Sequence, residues 1–149
     1  MSSEKELTTL PVAPLKLVVM QSCAELGKKV DDYIVQFRRK AHNEHKEGIE
    51  FKGYLEDSYI IDSVCPRFGT GEAKGQLLDS VRGTDLYILT DVCNHSITYD
   101  VFGHTNYMSP DNHFQDLKRI IAAVGGKARR ITVIMPFLYE SRQHKRSGR

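Results

Sequence analysis

Apolar positions along the chain gather into short runs that predict buried strands. Most of these runs are rich in β-branched or aromatic residues, and polar residues, glycine or proline bound them. Five such runs are expected to be strands, the last ended by a proline: Leu15–Met20, Ser58–Val64, Lys74–Leu78, Leu86–Thr90 and Ile131–Met135. The run at Leu86–Thr90 is almost wholly apolar, which is typical of a strand covered on both faces of a parallel sheet.

Helical spacing of apolar residues marks two further segments. The first helix follows the first strand, with Ser22 as its expected N-cap. The second is expected to open at Ser109–Pro110, because proline suits the first helical position, and to stop at Gly125–Gly126. Each helix is expected to bury one stripe: Leu26, Val30, Tyr33, Ile34 and Phe37 in the first, and Phe114, Leu117, Ile120, Ile121 and Val124 in the second.

Strands that alternate with helices predict an α/β fold, a three-layer αβα domain around a mainly parallel sheet. Residues 1–13 are expected to form a disordered N-terminal segment, and residues 14–149 one domain. Residues 38–57 are highly charged and are expected to extend the first helix and then form a loop. Residues 91–110 are predicted to be a polar loop, and a loop of such length is often functional.

The composition is that of one ordinary globular domain. The chain has 149 residues, 40% hydrophobic and 27% charged, and its apolar runs are far shorter than the roughly 18 residues of a membrane span. Its start lacks the layout of a signal peptide. Three widely spaced cysteines argue against a disulfide framework and for a reducing cytoplasm.

The charge is unevenly placed along the chain. Residues 127–149 carry seven Lys or Arg against one acid, or +6, so the remainder carries 2 − 6 = −4. Guanidinium groups beyond a strand end suit phosphate oxygens, although a solvated basic terminus explains the local sequence equally well. Aromatic residues are not interleaved with the basic ones as a stacking platform requires, which disfavours nucleic-acid binding. Neither a nucleic acid nor a membrane is expected as a partner.

Other candidate motifs are incomplete. The glycines of Gly69–Gly75 lack the spacing of a dinucleotide fingerprint and are interpreted as turn glycines. His104 and His113, in or beside the long loop, are expected on the surface. No metal-ligand set is expected, because each of two close pairs lacks further ligands: His42 with His45, and Cys93 with His95.

Several segments, in this order, resemble the N-terminal domain of ribose-phosphate diphosphokinases. The resemblance covers residues 14–149 and implies a phosphoribosyltransferase-like fold. The matching segments are the strand Leu15–Met20 and the helix with Glu25-Leu26, the Phe-x-x-Gly-Glu loop Phe68–Glu72, the turn Asp79–Gly83 with the strand Asp85–Thr90, the helix start Asp111-Asn112, and Pro136 followed six residues later by Arg142-Gln143.

In this family the anomeric hydroxyl of ribose 5-phosphate attacks the β-phosphorus of Mg-ATP, and AMP leaves. The resemblance implies that Phe68 stacks on adenine, often in a neighbouring subunit's site, and that Glu72 hydrogen-bonds the base. Arg142 and Gln143 would hold the nucleotide near its ribose and phosphates. Magnesium, ATP as substrate, ribose 5-phosphate and a homo-oligomer are therefore expected, in nucleotide biosynthesis.

Two residues depart from the family pattern, since aspartate commonly stands at Thr70 and at His144. Residues 38–57 and 91–110 are also longer than usual. The family's metal-binding histidine, catalytic loop and phosphoribose loop follow the matched segment, so catalytic residues stay unknown. The chain is expected to lack the C-terminal domain and to be inactive alone. The alternative interpretation is a non-catalytic relative that serves regulation or assembly.

Overall fold

The computed structural model describes residues 11–41, 51–143 and 145. The prediction of disorder for residues 1–13 therefore falls mostly outside the described residues. In the described part, no helix has the length and apolar character needed to cross a membrane. The elements are β1 Leu15–Val19, a 3₁₀ turn Gln21–Cys23, α1 Ala24–Ala41, β2 Ile60–Ile61, β3 Ser63–Val64, β4 Gln76–Leu77, β5 Asp85–Leu89, β6 Thr98–Val101, β7 His104–Tyr107, α2 Pro110–Val124 and β8 Arg130–Ile134.

The central sheet is parallel and has the strand order β2-β1-β5-β8. Val18 of β1 pairs with Ile88 of β5, and Ile88 pairs with Val133 of β8. Two small antiparallel pairs, β3–β4 and β6–β7, flank this sheet. Helices α1 and α2 pack on the two opposite faces of the sheet, which confirms the predicted α/β architecture.

The face under α2 holds the larger core, and the predicted stripe of this helix is confirmed. Leu117, Ile120 and Val124 are buried there against β1 and β5. Ser109 caps the helix by accepting a 3.2 Å hydrogen bond from the Asn112 amide, and the left-handed Gly125 ends it. The start, the stripe and the stop of this helix were all predicted from the sequence.

The face under α1 corrects the sequence interpretation. Val30 and Ile34 are partly buried, but Leu26, Tyr33 and Phe37 are 43%, 70% and 47% exposed. The residues that α1 buries are instead Gly27, Asp31 and Val35. Of the predicted stripe only Val30 and Ile34 contact the core, because a glycine and a carboxylate stand at positions that face the sheet.

At Gly27 the helix lies very close to β1, since an added β-carbon would stand 2.2 Å from Cγ1 of Val19. Asp31 is 2% exposed and accepts two hydrogen bonds of 2.7 Å, from the Tyr59 amide and from the Ser58 hydroxyl. The buried carboxylate therefore fixes the start of β2 against α1.

Three further predictions are corrected by local structure. The strand predicted over Ser58–Val64 divides into β2 and β3, which belong to different sheets. The long polar loop contains the hairpin β6–β7. Ser22 does not cap α1: its hydroxyl lies in the 3₁₀ turn and accepts a 3.0 Å hydrogen bond from the Asp91 amide.

Candidate functional site

The strand order changes direction between β1 and β5, and in open α/β sheets ligands bind beyond the strands' carboxyl ends at such a point. A crevice of about 490 Å³ lies at this place. Its lining carries two carboxylates, an ammonium group and two amides: the residues are Gln21, Ser22, Cys23, Ala24, Glu25, Leu26, Lys29, Asp91, Asn94 and Pro136.

Hydrogen bonds fix the polar floor of this crevice. The Asn94 amide side chain donates to the Ser22 carbonyl at 2.9 Å, and Asp91 Oδ1 accepts from the Cys93 amide at 2.8 Å. Together with the Ser22–Asp91 bond, these contacts lock the loop after β1 to the loop after β5. Burial is the main cause that raises the pKa of the neighbouring Cys23 thiol to about 11, with the charge of Asp91 a smaller cause.

The predicted residues Phe68 and Glu72 project from a tight loop between β3 and β4. The Phe68 amide donates to the Glu72 carbonyl at 2.7 Å, and the Gly71 amide donates back to the Phe68 carbonyl at 2.9 Å. Gly71 has φ 86°, a conformation that suits glycine. The loop leaves Phe68 49% exposed and Glu72 on the surface, so both are accessible to solvent.

Gly75, at the end of this loop, differs from an ordinary turn glycine. A β-carbon there would stand 2.4 Å from the carbonyl oxygen of Arg119. Glycine thus permits the loop to lie directly on α2, a role that the interpretation of Gly69–Gly75 as turn glycines had missed.

Arg142 and Gln143 follow β8 and are exposed. The Gln143 amide donates to the Glu140 carbonyl at 3.0 Å, and its side chain donates to the Lys145 carbonyl at 2.7 Å. The segment before them is held on α2, because Tyr139 stacks on Phe114 at 4.2 Å between ring centroids. His144, one of the two departures from the family pattern, lies outside the described residues.

The Tyr139 hydroxyl also donates to Asp111 at 2.6 Å, and this hydrogen bond is the main cause that raises the Tyr139 pKa to about 12. The tail is therefore tied to the start of α2 near the carboxyl edge of the sheet. Pro136 lines the crevice described above. The four predicted site residues do not line it: Phe68, Glu72, Arg142 and Gln143. The structure places the two predicted pairs on separate segments.

A second cavity, of about 420 Å³, contains residues that sequence reasoning missed. Arg67 binds Asp116 of α2 through both oxygens, at 2.9 and 2.8 Å, and Arg119 contacts the same carboxylate at 2.6 Å. The ring of Tyr99, in the hairpin, covers the Arg67 guanidinium, and Cζ of Arg67 lies 4.7 Å from the ring centroid. Only the i,i+3 spacing of Asp116 and Arg119 could have suggested this cluster.

His113, which lines the same cavity, corrects another prediction. It was expected on the surface but is 4% exposed, and its Nε2 lies 2.8 Å from the Asn94 carbonyl oxygen. Because a carbonyl only accepts, Nε2 carries the proton. His104, by contrast, is exposed as expected. His42 and His45 lie outside the described residues.

Metal ligation has no candidate in the part of the chain that the structure describes: no group of three or more His, Cys, Asp or Glu side chains is placed to hold an ion. Mg²⁺ is commonly bound through one or two carboxylates together with substrate phosphates. The Phe68 ring, the Glu72 carboxylate and the Arg142 guanidinium are exposed and offer an aromatic face, an acceptor and a cation.

Comparison with known proteins agrees with this fold. The family model of the N-terminal domain of ribose phosphate pyrophosphokinase matches residues 15–149. The crystal structure of phosphoribosylpyrophosphate synthetase from Mycobacterium smegmatis is similar, with a TM-score of 0.55 and 22% identity over 88% of this chain. The chain corresponds to 32% of that protein's length. No curated protein gives a significant sequence match.

Proposed function

Because the chain belongs to the family of ribose phosphate pyrophosphokinase N-terminal domains, we propose that it is the nucleotide-binding half of such an enzyme. In the proposed reaction the anomeric hydroxyl of ribose 5-phosphate attacks the β-phosphorus of Mg-ATP in a reducing cytoplasm. The bond from that phosphorus to the AMP oxygen breaks, so AMP leaves and phosphoribosyl diphosphate forms. The match over residues 15–149 is the observation that carries this proposal.

Four side chains carry the proposed nucleotide site. Phe68 offers an aromatic face to adenine, and the Glu72 carboxylate accepts from its amino group. Arg142 and Gln143 act near the ribose and phosphates. The half-exposed ring of Phe68 and the exposed positions of the other three support these roles.

The proposed reaction requires a fixed positive charge in the nucleotide-binding half of the enzyme. Diphosphoryl transfer moves negative charge between phosphate oxygens, and preorganised positive groups stabilise that charge. Arg142 is suited to this because its donors match phosphate oxygens in pairs. Magnesium, bound to the triphosphate, would supply further positive charge. Homo-oligomer formation belongs to the same proposal, since Phe68 often serves a neighbouring subunit in the resembling enzymes.

One observation favours the alternative of a non-catalytic relative that serves regulation or assembly. The Thr70 hydroxyl lies 3.0 Å from Glu72 Oε2. At the position of Thr70 the family commonly has an aspartate. Glu72 is thus engaged within its own loop, and an acceptor for the base is partly occupied. The departure at Thr70 would in that case reflect a weakened nucleotide site.

The test is calorimetric titration of Mg-ATP into the chain, repeated with Phe68→Ala and Arg142→Ala. Stacking on an aromatic side chain contributes about 1–3 kcal/mol per base, so Phe68→Ala should weaken binding by roughly tenfold. Matched controls come from α1, where Phe37 is 47% exposed against 49% for Phe68. Phe37→Ala and Arg39→Ala should leave the dissociation constant unchanged.

Binding that both site variants weaken and both controls leave intact would support the proposed site. Binding that ignores Phe68→Ala and Arg142→Ala would contradict it. If the folded chain does not bind, the titration is repeated on the whole protein. Binding there would mean that the site needs the remaining part of the enzyme, and no binding there would favour the non-catalytic relative.

A further inference from the structure

The tip of the hairpin β6–β7 carries a phenylalanine in an unfavourable conformation. Phe102 and Gly103, the two residues of the turn, have φ 52° and 75°. Turns of this kind favour Asn-Gly, because a bulky residue is rarely stable at positive φ. Phe102 is also 82% exposed. Neither turn formation nor burial therefore explains a phenylalanine here, and such strain is often kept where a ligand is contacted.

The Phe102 ring lies against the loop that holds Phe68. A β-carbon placed on Gly69 would stand 3.4 Å from Cζ of Phe102 and 3.6 Å from its Cε1. Phe68 is the residue next to Gly69 and is itself 49% exposed. Two accessible aromatic residues thus lie beside one small residue, Phe68 as its neighbour in the chain and Phe102 from the hairpin.

The hairpin is held in this position by contacts at its base. Tyr99 covers the guanidinium of Arg67 at 4.7 Å, and Arg67 is fixed by its paired hydrogen bonds to Asp116. Across the hairpin, the Thr105 hydroxyl donates to Asp100 at 2.7 Å. Since Arg67 directly precedes Phe68, one anchored residue sets the position of both aromatic side chains.

We propose that Phe102 is a second base-contacting residue, which extends the aromatic surface of Phe68 for a purine nucleotide. The inference rests on the proposed function, since it needs a nucleotide at Phe68. Purines present a larger stacking surface than pyrimidines, so a second aromatic contact favours ATP over CTP. The proposal holds equally if the base belongs to a neighbouring copy, because both rings are beside Gly69.

The test uses Phe102→Asn, which places a favoured residue in the turn and removes the ring. This variant should unfold at the same urea concentration as the wild type or a higher one. It should weaken Mg-ATP binding by about tenfold, the scale of one stacking contact, and reduce the preference for Mg-ATP over Mg-CTP. Tyr107→Asn is the control, because it removes a 73% exposed aromatic residue from the same hairpin. It should change neither the Mg-ATP affinity nor the preference for Mg-ATP over Mg-CTP.

The outcomes separate this inference from the proposed function. If Phe68→Ala weakens Mg-ATP binding while Phe102→Asn leaves affinity and preference unchanged, the role of Phe102 is wrong and the nucleotide site stands. An equal loss with Tyr107→Asn would also overturn it, because the effect would then belong to the hairpin as a whole. Failure of the whole wild-type protein to bind Mg-ATP would overturn both.

Discussion

The two helices each bury one carboxylate against the sheet, and the two are stabilised differently. Asp116 of α2 is 5% exposed and bound by two arginines, Arg67 and Arg119. Asp31 of α1 is 2% exposed and, among the described residues, accepts hydrogen bonds from an amide and a hydroxyl. A buried carboxylate needs full hydrogen bonding in either case, but only Asp116 also balances buried positive charge.

The contacts of Asp116 extend to the proposed site, whereas those of Asp31 do not. Asp116 holds Arg67, which precedes Phe68 and underlies the hairpin, so its contacts reach the proposed base-binding surface. Asp31 holds the start of β2, on the opposite face of the sheet. Removing the first carboxylate should therefore affect stability and nucleotide binding together, and removing the second should affect stability alone.

The largest effect is expected from Asp116→Ala. The change leaves two arginines without their partner, and Arg67 has a side chain only 9% exposed. Breaking a buried pair in this way costs about 3–5 kcal/mol, to be measured as the free energy of unfolding in urea. Mg-ATP binding at Phe68 should weaken as well, since the loop loses its anchor.

Asp57→Ala is the matched control for this variant. Its carboxylate pairs with Arg39 but is wholly exposed, and such pairs contribute little because water screens them. The unfolding midpoint of Asp57→Ala should equal that of the wild type. A loss for Asp116→Ala no larger than for Asp57→Ala would show that the cluster is not a stabilising anchor.

A smaller effect is expected from Asp31→Ala, about 2 kcal/mol, because a buried amide and a hydroxyl lose their acceptor. Asp31→Asn should lose only about 1 kcal/mol, since its oxygen still accepts from the Tyr59 amide. Unfolding in urea measures both. Neither variant should alter Mg-ATP affinity, and a change in affinity with either one would contradict the separation of the two faces.

The sequence predicted the α2 side of the molecule more fully than the α1 side. On α2 the apolar residues, the start at Ser109–Pro110 and the stop at Gly125 agree with the prediction, and each acts within a few residues of chain. On α1 the inward positions are Gly27 and Asp31, whose burial depends on Val19 of β1 and on Tyr59 just before β2. The spacing of apolar residues within a helix does not reveal those contacts with distant segments.

The candidate site shows the same limit. The Phe68 loop, with its glycine turn, was recognisable because its residues are adjacent in sequence. The Arg67–Asp116 pair spans 49 positions, and the hairpin tip meets Gly69 from a segment that was predicted to be a loop. Contacts between distant segments decide where the site's side chains lie, and a single sequence does not reveal them.

The smallest effect tests the orientation of α1 itself. Tyr33 and Phe37 stack on each other at 6.4 Å on the exposed side of the helix, where the sequence had predicted burial. Tyr33→Ser and Phe37→Ser should each change the free energy of unfolding by about 0.5 kcal/mol or less, as surface substitutions do.

Val35→Ala, on the buried side of the same helix, is the control for these two variants. Val35 is 7% exposed, and its substitution removes two methyl-sized groups that each contribute roughly 0.8 kcal/mol. It should therefore cost more than either serine variant. The reverse order would mean that Tyr33 and Phe37 face the sheet, and the hydropathy stripe would then be the true inner face of α1.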